Sequence, residues 1–100
     1  MSLDTPVGGP FNVAQYSLLL MMIAQVVDME ADEFIWTIGD AHIYLDQKDL
    51  VAEHITREPQ PLPVMKLDPS IKNIFDFRPE HFTLEGYTPH PVKLKYPVAT

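Results

Sequence analysis

VAQYSLLLMMIAQVVDM, residues 13–29, is the stretch whose reading decides the architecture. Between Val13 and Met29 only Gln15, Ser17, Gln25 and Asp28 interrupt an apolar run. The run is rich in Leu and Met, unbranched side chains that lose little rotamer freedom in a helix. A helix is therefore predicted. Asn12 is expected to cap it, because a short polar side chain accepts from an unpaired first-turn N–H, and Pro10 to stop it extending backwards. A membrane span needs about 20 apolar residues without interior glutamines, so the helix is expected in a protein core instead. A helix apolar all round needs two or more covering layers, which the rest of the chain or a partner must supply.

Downstream, the acidic connection Met29–Glu33 is expected to turn at Asp32, since Asp tolerates positive φ. Phe34-Ile35-Trp36-Thr37-Ile38 is β-branched and aromatic, and after Gly39 the residues Ala41, Ile43 and Leu45 alternate with Asp40, His42, Tyr44 and Asp46. That pattern predicts a strand with the four polar residues on one face. Gln47 to Glu58 predicts an amphipathic helix with Leu50, Val51, His54 and Ile55 on one stripe, ended by Pro59. Pro59-Gln60-Pro61-Leu62-Pro63 is extended by proline geometry and leads into a short strand over Val64-Met65-Lys66-Leu67. Lys72 to Phe77 suggests another short element, followed by a loop-rich end. The fold class expected is α/β, of the mixed α+β kind: a long buried helix packed on a sheet. One domain over residues 1–100 is expected from length alone.

Composition narrows the function classes. With 7 basic and 14 acidic side chains the net charge is −7, which disfavours attraction to nucleic acid or to an anionic membrane. The sequence holds no cysteine, which excludes a disulfide framework, a thiolate metal site and a thiol nucleophile. The start, MSLDTPVGG, has neither a basic region nor a following apolar run of the secretory kind, so a cytoplasmic setting is expected. The 4 histidines, His42, His54, His81 and His90, lack the paired spacing of a zinc site, and no metal is expected. Asp40 and Asp46 are too far apart on the predicted strand for a carboxylate pair.

Gly8-Gly9-Pro10-Phe11-Asn12, Gly39-Asp40-Ala41-His42-Ile43-Tyr44 and Gly86-Tyr87-Thr88-Pro89-His90-Pro91 each join turn chemistry to polar groups. Each taken singly has an ordinary structural explanation: an N-cap, a satisfied pair on a half-buried strand, a rigid loop. Taken in order, GGPFN, a long apolar helix, WTIGDAHIY, REPQPLP, IFDF, GYTPHP and the final PVAT resemble the C-terminal part of thymidylate synthase. In that family the pattern runs GxPFN, apolar helix, WTxGDxHxY, REPxPLP, IFDY, GYxPHP and PVA plus one residue. Ile38 stands where the family usually has Gly, Ala41 where it often has Thr, and Thr100 replaces the usual aliphatic end.

The resemblance implies an enzyme that transfers a one-carbon unit from methylenetetrahydrofolate to dUMP and reduces it. It implies that Asn12 reads the uracil ring, and an amide suits that role because it offers both an acceptor for N3–H and a donor for O4. His42 and Tyr44 would bond the deoxyribose hydroxyl, Ser2 the phosphate and Asp4 the folate ring. The tail from Pro97 to Thr100 would close over the ligands, with Ala99 toward the folate. The family's nucleophilic cysteine has no counterpart in these residues, so no catalytic residue is assigned, and Met1 stands where the last phosphate-binding arginine would be. The expectation is a C-terminal fragment of a thymidylate synthase, inactive alone, that dimerises or joins a missing N-terminal part. The alternatives are a non-catalytic assembly module of the same fold and the C-terminal part of a deoxyuridylate hydroxymethylase.

Overall fold

The computed structural model describes residues 2–91 and 93–97. Its elements run β1 (Ser2–Asp4), α1 (Thr5–Val26), β2 (Asp40–His42), a 3₁₀ turn (Leu45–Gln47), α2 (Lys48–His54), β3 (Val64–Leu67), two further 3₁₀ turns (Ile74–Asp76 and Pro79–His81) and β4 (Phe82–Glu85). Helices and short sheets are mixed, as the sequence leads one to expect. The chain forms two compact units. One gathers the described residues of Met1–Gln15, Ile35–Pro59 and His90–Thr100, the other Tyr16–Phe34 and Gln60–Pro89.

The first unit is organised by a parallel pairing of β1 with β2, in which Ser2, Leu3 and Asp4 lie opposite Asp40, Ala41 and His42. Leu3 points inward and is only 2% exposed. The strand expected over residues 34–45 is thus confined to three residues. β-branched and aromatic composition marks a surface that fits a sheet, but a ladder exists only where a neighbour supplies its other half. Among the described residues β1 is that neighbour, and it is three residues long. Tyr44 then caps the 3₁₀ turn, and α2 follows and ends at His54, a turn earlier than the proline at position 59 requires.

In the second unit β3 pairs antiparallel with β4, from Val64 opposite Glu85 to Leu67 opposite Phe82. β3 forms where Val64–Leu67 predicts it, whereas β4 falls in a stretch expected to be loop. Its end is set by Gly86, whose φ of 74° suits a residue without Cβ. Lys66 and Glu85 form a cross-strand ion pair at 3.1 Å. Phe77 stacks on Phe82 at 5.5 Å between ring centroids. Gln25 of α1 donates through Nε2 to the carbonyls of Asp68 and Ile71, each at 2.8 Å, and so closes the loop after β3.

α1 departs from expectation at both ends. It starts at Thr5 rather than after Asn12, and Pro10 lies inside it. Pro6 in the first turn and Pro10 about one turn further on have φ values already suited to a helix. The cost is one missing N–H, the one that would reach the Pro6 carbonyl. Asn12 therefore sits about two turns inside the helix and is not its cap. At the far end the left-handed residue is Asp28, with φ 58°, not Asp32. The burial expected for this helix is not provided by the described residues. Ala24 is buried, but Phe11 is 77% exposed, and Tyr16, Leu19, Ile23 and Val27 are all open to solvent. By length and composition α1 also meets the criterion for crossing a membrane, a property it shares with core helices of ordinary folds.

Candidate functional site

The polar residues singled out from the sequence gather in the first unit. Parallel register sets Asp4 opposite His42 and Ser2 opposite Asp40, so the start of the chain and the GDAHIY strand form one edge. His42 and Tyr44 remain on the same side although β2 has ended between them. Their rings meet edge to face with centroids 5.0 Å apart and planes at 80°. The i, i+2 spacing of an extended backbone produces this arrangement whether or not a ladder continues. Asp40 Oδ1 lies 3.6 Å from His42 Nδ1. His42 is half-buried and Tyr44 is exposed.

Asn12 is half-buried on α1. Its Nδ2 lies 3.7 Å from the place a Cβ on Gly8 would occupy, so the amide rests against the bare side of that glycine. Ser2 is exposed at the edge of β1. Ala99 and Thr100, assigned from the resemblance to the closing tail, lie outside the described residues, as do Met1, Val92 and Val98. Asp4 is half-buried, and both of its carboxylate oxygens accept from Gln47 Nε2, at 3.2 and 3.4 Å. A carboxylate has about four acceptor sites, so this leaves acceptor capacity for the N–H groups of a pterin-like ring. The fit to a folate is chemically sound on that observation.

Gln47 is the residue that sequence reasoning missed. It was read only as the start of the second helix, yet it is fully buried at 0% exposure. Besides Asp4, its Nε2 donates to the Pro97 carbonyl at 3.1 Å. Its Oε1 accepts from the Tyr44 N–H at 3.0 Å, and its own N–H donates to the Tyr44 carbonyl at 2.9 Å. One signal was available. In Tyr44-Leu45-Asp46-Gln47 a glutamine stands three residues after a strand end, the spacing at which its side chain reaches back to a capping N–H.

Two other groups bear on the site's chemistry. An open apolar cavity of about 220 Å³ lies beside the start of α1, lined by Pro6, Pro10, Val51, Ile55, His54 and Tyr96 among others. Its lining includes none of Asn12, His42 or Tyr44. His54 Nδ1 and the Tyr96 hydroxyl meet at 3.0 Å on its rim, and burial raises the Tyr96 phenol above the ordinary tyrosine range. Arg78 directs Nη1 to the carbonyls of Phe75 and Phe77 at 3.0 and 2.9 Å, and so serves its own loop rather than an anion.

A family model described as thymidylate synthase matches residues 1–100. Among solved structures, the thermostable thymidylate synthase A from Bacillus subtilis superposes with a TM-score of 0.91 and 39% sequence identity over 97% of this chain. The chain spans 34% of the length of that enzyme. Long apolar helix, short paired strands and the ordered motifs are thus features of one known fold, and the chain belongs to the thymidylate synthase family.

Proposed function

We propose that these residues form one wall of a dUMP and folate site and act as the C-terminal part of a thymidylate synthase. The observation that carries this reading is the convergence of Asp4, His42 and Tyr44 on one edge, with the two rings in edge-to-face contact. In this reading Asn12 pairs with the uracil edge of dUMP through its amide. His42 and Tyr44 hold the deoxyribose hydroxyl, Ser2 meets the phosphate, and Asp4 accepts from the folate ring, with Ala99 on the folate side of the tail. Methylenetetrahydrofolate, when bound, supplies the one-carbon unit and the reducing equivalents. The chain's own residues orient the nucleotide and present hydrogen-bond partners. They hold no thiol to add to the pyrimidine ring. The 100 residues are therefore inactive by themselves and act with the N-terminal part of the enzyme, in a dimer.

Tritium release from labelled dUMP in the presence of methylenetetrahydrofolate tests this. The chain alone gives no turnover, and adding the N-terminal part of a thymidylate synthase restores it. Turnover by the chain alone, or none after the addition, overturns the reading. A second reading, a non-catalytic module that uses the same fold to associate, is favoured by the exposed apolar side chains of α1. It predicts a defined dimer that ignores dUMP.

A further inference from the structure

The buried amide of Gln47 joins segments that are far apart in sequence, and each bears on the proposed site. Asp4 precedes α1, Tyr44 follows β2, and Pro97 opens the tail. We infer that Gln47 is a positioning residue that couples the side chain of Asp4 and the backbone of Tyr44 to the C-terminal segment at Pro97. The ligand part of this inference rests on the dUMP and folate reading, while the coupling itself rests on geometry alone.

The argument is one of donor and acceptor accounting. The Tyr44 N–H can only donate, so the atom facing it must be Oε1, which fixes the amide orientation with Nε2 toward Asp4 and Pro97. Nε2 has two protons. The carboxylate of Asp4 takes one, shared between its two oxygens, and the Pro97 carbonyl takes the other. Both partners are acceptors only, so an amide fits here and a carboxylate does not. With no exposure to water, the bonds have no solvent substitute, and removing one strands a buried polar group. A shift of Asp4 toward a ligand is therefore felt at Pro97, and the placing of the tail is felt at Asp4. This is a hydrogen-bonded linkage, not a catalytic step. Gln47 itself faces neither ligand.

The test begins on the wild-type chain, by NMR. The two Nε2 protons of Gln47 are expected to be resolved, slow to exchange, and to show NOEs to Leu3 or Asp4 and to Pro97. Fast-exchanging, degenerate protons without those NOEs overturn the inference whatever any variant does. In Gln47→Glu the carboxylate can still accept from Tyr44 but faces the Asp4 carboxylate and the Pro97 carbonyl without a proton to donate. At neutral pH, trypsin is expected to cut after Lys95 about tenfold faster, or more, on the scale of a lost charge-assisted hydrogen bond. Amide protection at Met65, in the other unit, serves as the control for general unfolding and stays unchanged. Equal cleavage of the two proteins at neutral pH overturns the coupling.

The same variant combined with the N-terminal part of the enzyme separates the two layers of the claim. A KM for methylenetetrahydrofolate raised about tenfold, with a smaller change for dUMP, supports coupling of Asp4 to the ligand. Unchanged KM values in an active complex overturn that coupling. An inactive wild-type combination overturns the proposed function and leaves the NMR and proteolysis results to decide the linkage.

Discussion

At the scale of single residues, the strongest consequence of the site concerns Asn12. Its amide can match both N3–H and O4 of uracil, while a carboxylate at the same place offers acceptors only and faces O4 with like polarity. Asn12→Asp is expected to weaken dUMP use by the completed enzyme by tenfold or more, on the order of 2 kcal/mol, because a buried polar group is left mismatched. The ratio of kcat/KM for dUMP over dCMP measures this, and an unchanged ratio removes Asn12 from the pyrimidine edge. The side-by-side placing of His42 and Tyr44 was legible from the sequence because an i, i+2 pair in extended chain shares a side, whereas Asn12 was singled out through the family resemblance and the cap expected of it is not formed. Gln47 was not legible to the same degree. Its importance comes from partners 43 and 50 positions away, and single-sequence periodicity carries no information about such distances.

At the scale of elements, α1 shows how tertiary context moves a boundary. The apolar run announced a helix, but the proline that was expected to end it backwards lies within it. Pro10 removes one helix hydrogen bond and crowds the Pro6 carbonyl, costs that packing of the first turn offsets. Pro10→Ala should therefore stabilise the chain by about 1 kcal/mol against urea. Pro10 is exposed and lines the open cavity, so little packing is expected to be lost with its ring. A lower midpoint would mean that the ring fills a needed place. The sheets teach the complementary lesson. Residues 34–38 have strand composition and no ladder among the described residues, and Phe82–Glu85 has a ladder that composition did not announce, because strand formation is decided by the neighbour as much as by the strand.

The turn after β3 supplies a pH-dependent test on the same scale. Asp68 Oδ1 accepts from the Ser70 hydroxyl at 2.7 Å and from the Ser70 N–H at 2.9 Å. These bonds hold its carboxyl below the ordinary carboxylate range, the hydroxyl bond contributing most. A folded-state pKa below the unfolded one means that the turn is favoured at pH values above the ordinary range. That contribution is lost as pH falls through the depressed value. In Ser70→Ala the hydroxyl bond goes and the backbone bond stays, so Asp68 should titrate closer to an ordinary aspartate. A carboxyl carbon NMR titration of both proteins checks the direction, and coincident curves would refute it.

At the scale of the whole molecule, accessible area decides what the chain must do next. A folded monomer of 11.4 kDa exposes about 5,800 Å² by the usual scaling with mass. This chain exposes 8066 Å². The excess, about 2,300 Å², is of the size buried in large, obligate interfaces rather than in transient ones. Much of it is apolar, as Phe11, Ile23, Val27, Met29 and Ile35 show. The chain spans 34% of the Bacillus enzyme that it matches, and under the proposed function the rest of such an enzyme covers that surface. Alone at micromolar concentration, the chain is expected to sediment as a concentration-dependent mixture heavier than 11.4 kDa. Addition of the N-terminal part of a thymidylate synthase should replace that mixture with one species of fixed stoichiometry, and turnover should appear over the same titration. A single light boundary at every concentration would show that the apolar face is tolerated by water. A fixed dimer unchanged by the addition would favour the assembly module instead.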